Sequence, residues 1–338
     1  MDRFANLSRR SALGLAAGAL ACAGLAPLAA CSSRKTYKAA LVISGPAQDK
    51  GWGQSHYDAV TAACKKLGNW QLIEPEENTS AAASADLAQS YVDQGVDLII
   101  GAGVQFARAW GDVVSSAAKK RPEAKFLFTN IDPTEDLPDY QTLENVQAIE
   151  VDRAQFASMA GVVAGLMTRT NKVGYVAGAT LSSTTEKYAA FAEAVQKVNP
   201  EAEAVSAFDV GFTDEDAGRS AAERLIGSDG VDVIWSEASA ADNGVRRALS
   251  DAGADAHFNI AQPRDLAGEP AVVASTVIEW PVQEAMEAVA DGSFGGGAVI
   301  VADLAGGGIR LGELSDAVPD DVREKIESYV AQIEAGTF

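Results

Sequence analysis

Cysteine, histidine and positive charge are all scarce in this chain of 338 residues, and each scarcity closes off a class of function. There are three cysteines and two histidines, and 27 Lys+Arg stand against 47 Asp+Glu for a formal net charge of −20. His56 and His257 lie far apart and belong to no HExxH or CxxC pattern, so no metal centre is expected. The acidic excess works against nucleic acid or anionic head groups as partners, because phosphate binding relies on clustered Lys and Arg. A GxxxxGK phosphate loop and a GxSxG nucleophile elbow are both missing. Gly101-Ala102-Gly103 follows a strand-like run, but Val104-Gln105-Phe106 does not complete GxGxxG, so the segment reads as a tight strand-to-helix turn. The runs at 295–297 and 306–308 read as glycine loops. No catalytic constellation is assembled, and no cofactor is implied.

What is present begins with the leader. Ser8-Arg9-Arg10-Ser11-Ala12-Leu13 opens an uncharged stretch from Ser11 to Ala30, rich in Ala, Leu and Gly. A bilayer span needs roughly 20 predominantly apolar residues, but this stretch is only mildly hydrophobic and a polar sequence follows at once. A basic head, an apolar middle and small residues at the end describe an export signal. The paired arginines resemble the twin-arginine pattern. Leu28-Ala29-Ala30-Cys31 resembles a bacterial lipobox, whereas Ala19-Leu20-Ala21-Cys22 lacks a branched apolar residue three places before its cysteine. The expectation is an export signal over 1–30, acylation of Cys31, and a tether over 31–38. Each buried methylene of an acyl chain holds the protein to a membrane by about 0.8 kcal/mol. Cleavage leaves Cys31 and Cys64, so structural disulfides are not expected; Cys64 lies in a helical pattern with Val60 and Leu67 and reads as a packing residue.

From Ala39 onward, short apolar runs alternate with amphipathic segments. Strands are expected over 39–43, 70–73, 96–100 and 125–128, with helices over 54–67, 82–94 and 106–120 between and after them. Continuous apolar runs separated by helical segments are the mark of parallel strands covered on both faces. A second series follows the polar stretch 132–144: helices over 152–167, 183–198, 214–226 and 242–252, and strands over 172–176, 204–208, 231–235 and 256–260. Ser183-Thr184-Thr185-Glu186 has capping-box spacing and is expected to open its helix. Then come a strand over 272–278, a helix over 281–290 and a terminal helix over 320–335. The fold class expected is α/β, with two doubly wound lobes joined by a multi-strand hinge. Residues 39–148 with about 261–291 are assigned to the first lobe, and 149–260 with about 292–338 to the second. A ligand would sit where the carboxyl ends of the strands of both lobes meet.

The informative segment is Gly45-Pro46-Ala47-Gln48-Asp49-Lys50-Gly51-Trp52-Gly53-Gln54-Ser55-His56-Tyr57, between the first strand and the first helix. Trp52, flanked by glycines, either offers a flat face for a ring or packs under the loop, and the residues alone leave both open. Stacking of a ring there is worth about 0.5–1.5 kcal/mol beyond burial.

Asp49-Lys50-Gly51-Trp52-x-x-x-His56 resembles the first motif of the basic membrane protein family, the nucleoside-binding lipoproteins of ABC importers. Gly95-Val96-Asp97-Leu98-Ile99, Phe126-Leu127-Phe128-Thr129-Asn130-Ile131-Asp132, Ala160-Gly161-Val162-Val163-Ala164-Gly165, Lys172-Val173-Gly174-Tyr175-Val176-Ala177-Gly178 and Gly211-Phe212-Thr213-Asp214 follow in matching order. The resemblance implies a type I periplasmic-binding-protein fold, a small solute clamped between lobes, and an ABC permease and ATPase as partners. It gives Trp52 the role of an aromatic platform, with Phe212 as the opposing aromatic from the second lobe. Asp49 would brace the first loop or touch the ligand, and His56 would cap or pack. Gln105, Asn130, Glu237, Arg264, Asp265 and Glu279 are the candidates for the polar edge of the ligand. The chain departs from the family where Gly103-Val104-Gln105-Phe106 follows the third strand, at Ala261-Gln262-Pro263-Arg264-Asp265, and near Ile278-Glu279-Trp280, where a ribose-holding lysine is usual. The departures turn the expectation from a nucleoside alone to a nucleoside or purine base. A ligand-sensing lipoprotein, a binder of a sugar or other non-aromatic solute, and an exported α/β hydrolase are the alternatives.

Overall fold

Each lobe is organised by a strand from which later strands are laid down first on one side and then on the other. In the computed structural model, which describes residues 35–136 and 143–338, the first series runs β1 (Tyr37–Val42), α1 (Trp52–Leu67), β2 (Trp70–Leu72), α2 (Ala81–Asp93), β3 (Leu98–Gly101), α3 (Val104–Ala109), α4 (Gly111–Lys120), β4 (Lys125–Thr129), α5 (Pro133–Asp136) and β5 (Val146–Val151). The second runs α6 (Arg153–Met167), β6 (Lys172–Ala177), α7 (Ser182–Val198), β7 (Glu203–Ala207), α8 (Glu215–Asp229), β8 (Val233–Glu237), α9 (Ala241–Gly253), β9 (Phe258–Ala261) and β10 (Val272–Ile278). The chain ends through α10 (Val282–Asp291), β11 (Ala298–Ala302), β12 (Ile309–Leu311) and α11 (Asp320–Glu334). One sheet has the order β11-β5-β4-β3-β1-β2 and the other β12-β10-β9-β8-β6-β7. Every pairing is parallel except β10 with β12. The order therefore reverses at β1 and again at β6, and loops on the two sides of such a point splay apart to leave a crevice.

The strands are buried on both faces, as their unbroken apolar runs require; Leu41, Ile100, Leu127 and Val173 are all fully buried. Helix α6 is apolar nearly all round because it lies between the second sheet and helices α7 and α11. Gly161 makes the α7 approach possible: a Cβ there would stand 2.4 Å from the Phe191 carbonyl oxygen. Asp152 and Asp214 cap their helices, accepting from Gln155 N and from Asp216 and Ala217 N.

Several expectations change. The signal and lipobox, with Cys31, lie outside the described residues, and the expected tether is shorter than 31–38 because Tyr37 and Lys38 already belong to β1. The single helix over 106–120 is two helices meeting at Trp110, whose fully buried ring packs on Phe106, Phe126 and Phe128. Ser183 is not a cap: α7 begins one residue earlier, and the Thr184 hydroxyl accepts from Leu181 N while Glu186 pairs with Arg153. The sheets also redistribute the last third of the chain. β10 belongs to the second sheet, not to the first lobe with 261–291, and β11 extends the first sheet instead of joining the second lobe. The chain thus passes between lobes three times, after β5, between β10 and α10 (which packs on α1), and between β11 and β12.

Candidate functional site

The two reversal points face each other. The loop after β1 brings Ser44 and Trp52, and the loop after β3 brings Ala102 to Gln105, while the opposite lobe contributes the end of β8 at Glu237 and the first turn of α7. Together with Asn130, Phe212, Ser239 and Gln262 they line one narrow cleft.

Trp52 is held from behind. Its indole N–H donates to the Ala102 carbonyl at 3.0 Å, and Trp280 meets it edge-on at 5.1 Å between ring centroids. His56 lies between them, 4.7 Å from Trp52 and 4.1 Å from Trp280. The His56 Nδ1–H donates to the Trp52 carbonyl and Nε2 accepts from the Thr129 hydroxyl, both at 2.9 Å, because a carbonyl can only accept. Burial pushes the His56 pKa down to about 4, so the ring is neutral at physiological pH. The platform is thus a locked aromatic trio, with Trp52 as the member that reaches the cleft.

Phe212 comes from the loop after β7 and rests on Gly178, at the end of β6. A Cβ on Gly178 would lie 2.3 Å from the Phe212 ring, so only glycine lets the ring take this place. Gln105 donates to the Ser44 hydroxyl at 2.6 Å. Asn130 has a left-handed backbone (φ 55°) at the end of β4, and its amide N–H donates to Ile149 O at 2.7 Å. Its side-chain amide reaches the cleft and makes no hydrogen bond to another described residue. Glu237 accepts from the Tyr175 hydroxyl on one oxygen and from the Lys187 ammonium on the other, and both members of that ion pair have side chains only 6 % exposed. Burial, with the Glu237 charge added, pushes the Tyr175 hydroxyl well above its ordinary pKa, so it stays a donor.

Asp49 lies outside the lining and braces the loop. Its carboxylate accepts from the amides of Gly51, Gly53 and Gln54 at 2.8–3.1 Å, and from the Ser239 hydroxyl of the other lobe at 2.7 Å. Arg264, Asp265 and Glu279 do not reach the cleft. They line a separate open groove of about 510 Å³, where Arg264 pairs with Asp58 at 3.1 Å and Arg310 pairs with Asp265 at 3.3 Å and Glu279 at 3.0 Å. These charges are spent on one another outside the cleft. Five expected residues therefore converge, namely Trp52, Gln105, Asn130, Phe212 and Glu237.

A family of ABC transporter substrate-binding proteins described as PnrA-like (Bmp) matches residues 36–336. The chain belongs to the Bmp family. A nucleoside-binding protein of an ABC transporter from Lactococcus lactis, BmpA, is 25 % identical over 90 % of this chain and 94 % of its own length. The CD4+ T-cell-stimulating antigen of Listeria monocytogenes is 28 % identical over 90 % of this chain and 88 % of its own. A solute-binding protein of an ABC transporter system from Aeropyrum pernix has the same fold, with a TM-score of 0.74 at 19 % identity, covering 89 % of this chain and 92 % of that one. The fold is that of the type I periplasmic solute-binding proteins, and a Bmp protein binds its solute without turning it over.

Within this Bmp chain the lining residues missed from sequence include Ser44, Thr184, Lys187, Ser239 and Gln262. Lys187 could have been found: Ser183, Thr184, Lys187, Phe191, Ala194 and Val195 share one buried face of α7, so helical spacing already places this lysine among core positions. Among the described residues no helix is long and apolar enough to cross a membrane, and no cluster of metal-ligating side chains occurs.

Proposed function

We propose that this Bmp protein binds a nucleoside or purine base between its lobes and is held at the outer face of the membrane by acylated Cys31. From there it would pass its cargo to an ABC permease driven by its ATPase. The observation that carries the ligand class is the pairing of Trp52 with Phe212. Two aromatic residues from opposite lobes line a cleft whose polar groups are neutral amides and hydroxyls around a single ion pair, with Val104 and Leu181 among its apolar walls. A flat ring meets two apolar faces there while its edge meets polar groups, which suits a nucleobase. The nucleoside-binding name of the Lactococcus relative points the same way.

The open space in the cleft is about 70 Å³, against roughly 300–1,000 Å³ for sites that hold small molecules. Admitting a ring requires the lobes to part, and their closure over it presents the liganded shape to a permease. A thermal-shift screen of nucleosides, bases, sugars and amino acids tests the ligand class. At a hundred times its dissociation constant the right ligand stabilises by about 2.7 kcal/mol. Trp52→Ala should then weaken binding about tenfold or more, the loss of stacking plus burial; parent-like purine binding by that variant counts against this site, and a response to sugars alone replaces the ligand class. Cys31→Ala tests the anchor separately, since the protein should leave the membrane fraction, and its retention there would remove Cys31 from the account.

A further inference from the structure

The Lys187–Glu237 pair is more than a way of burying two charges. An ammonium has three N–H donors and no acceptor, and among the described residues Lys187 has one acceptor, the Glu237 carboxylate. Glu237 is itself fixed from its other oxygen by the Tyr175 hydroxyl, whose one proton goes to the carboxylate. The lysine is therefore anchored at one proton while two donors remain for the cleft that it lines. Buried donors without partners cost free energy, so a ligand that brings acceptors to this place is favoured over one that brings donors. Among the residues lining the cleft, Lys187 and Glu237 are the charged ones, and they neutralise each other.

We infer that Lys187 is the specificity-determining residue of the cleft, and that it selects an uncharged 6-oxopurine, as base or nucleoside. The inference rests on the reading of the cleft as a purine site. A ring lying between Trp52 and Phe212 turns an edge toward Lys187, and a 6-oxopurine carries two adjacent acceptors on one edge, O6 and N7. A lysine or arginine serves that pair well for the same reason in the major groove of DNA. A 6-aminopurine puts an NH₂ donor in place of O6, so that donor meets donor. A 5′-phosphate brings net negative charge into a cleft whose one cation is already matched. Asn130 and Gln262, whose amides both donate and accept, impose no such demand on the edges they meet.

Isothermal titration of the full chain with hypoxanthine, adenine, inosine, adenosine and inosine 5′-monophosphate tests this. Hypoxanthine and inosine should bind at least about tenfold more tightly than adenine and adenosine respectively, the scale of one well-made two-point contact to a base edge. Inosine 5′-monophosphate should bind more weakly than inosine. Lys187→Met alone leaves Glu237 buried without its counter-charge, so Lys187→Met/Glu237→Gln is the informative variant. It removes both charges together and should bring the oxo-to-amino ratio to within about twofold of one while purines still bind. Equal affinities for oxo and amino partners in the parent protein would overturn the inference and leave the purine reading standing. A preference that survives in the double variant would overturn the role of Lys187. Failure of every purine to bind would overturn both.

Discussion

Two buried groups, His56 and Asp242, should make the stability of this protein respond to acid in opposite directions, and removing either should expose the other. His56 has its pKa lowered from 6.5 to about 4 by burial. The unfolded chain then takes up a proton before the native one does, so the stability that neutral His56 contributes is complete above pH 6.5 and is lost as pH falls toward 4. Asp242 has its pKa raised from 3.8 to about 7, by burial, against the opposing pull of Arg246 and of the Ala238 amide, which donates to its carboxylate at 2.8 Å. Here the native state holds the proton more tightly, so the contribution is complete below pH 3.8 and is lost as pH rises through 7. Between pH 6 and pH 5 the first group costs about 1 kcal/mol and the second returns about 1 kcal/mol. The two nearly cancel in the parent protein. Urea unfolding midpoints at pH 6 and pH 5, converted with a common slope, should show Asp242→Asn losing about 1 kcal/mol relative to the parent on acidification and His56→Gln gaining about as much. Parallel changes in all three proteins would refute the assignment of these protons.

Other substitutions test the platform and its brace. Gly178→Ala places a Cβ 2.3 Å from the Phe212 ring and 3.0 Å from the Gly211 carbonyl oxygen; it should cost about 1–3 kcal/mol of stability. It should also weaken ligand binding about tenfold by displacing the ring, and unchanged affinity by calorimetry would detach Phe212 from the ligand. Asp49→Ala strands three amides and a hydroxyl, for a loss of about 2–3 kcal/mol in urea unfolding. Ser239→Ala removes one of those bonds and should cost about 1 kcal/mol; equal losses from the two variants would mean that the amide cap is not what holds the loop.

Much of the fold is legible in the sequence, and what is not has physical causes. The parallel strands 98–101 and 125–129 and the long helices declare themselves because burial on both faces demands unbroken apolar runs. β5 escaped notice because Gln147 and Glu150 interrupt Val146–Val151, although Gln147 is buried. β11 escaped for the opposite reason: it is an edge strand whose Val299 and Val301 are exposed, next to a glycine run. At the site, Trp52, Gln105, Asn130, Phe212 and Glu237 line the cleft because each lies at or after the carboxyl end of a strand, where loops must surround the crevice. Arg264, Asp265 and Glu279 also follow strands, but they meet oppositely charged neighbours before they can reach the cleft. No local pattern reports such long-range pairing. Trp280, near the place of the family's usual ribose-holding lysine, stands behind Trp52 and donates to the Ser55 hydroxyl at 3.0 Å.

The late arrival of β11 and β12 bears on how the molecule comes to exist. Each sheet receives an outer strand from residues beyond 297, one beside β5 and one beside β10. A nascent polypeptide that has emerged only as far as α10 therefore carries two unfinished borders, with the backbone of β5 and of β10 open to pairing with other chains. Both borders stay open until almost all of the chain has emerged, so release at α10 should yield a sticky product instead of one finished lobe and one loose one. The last few dozen residues act as a seal on both halves at once.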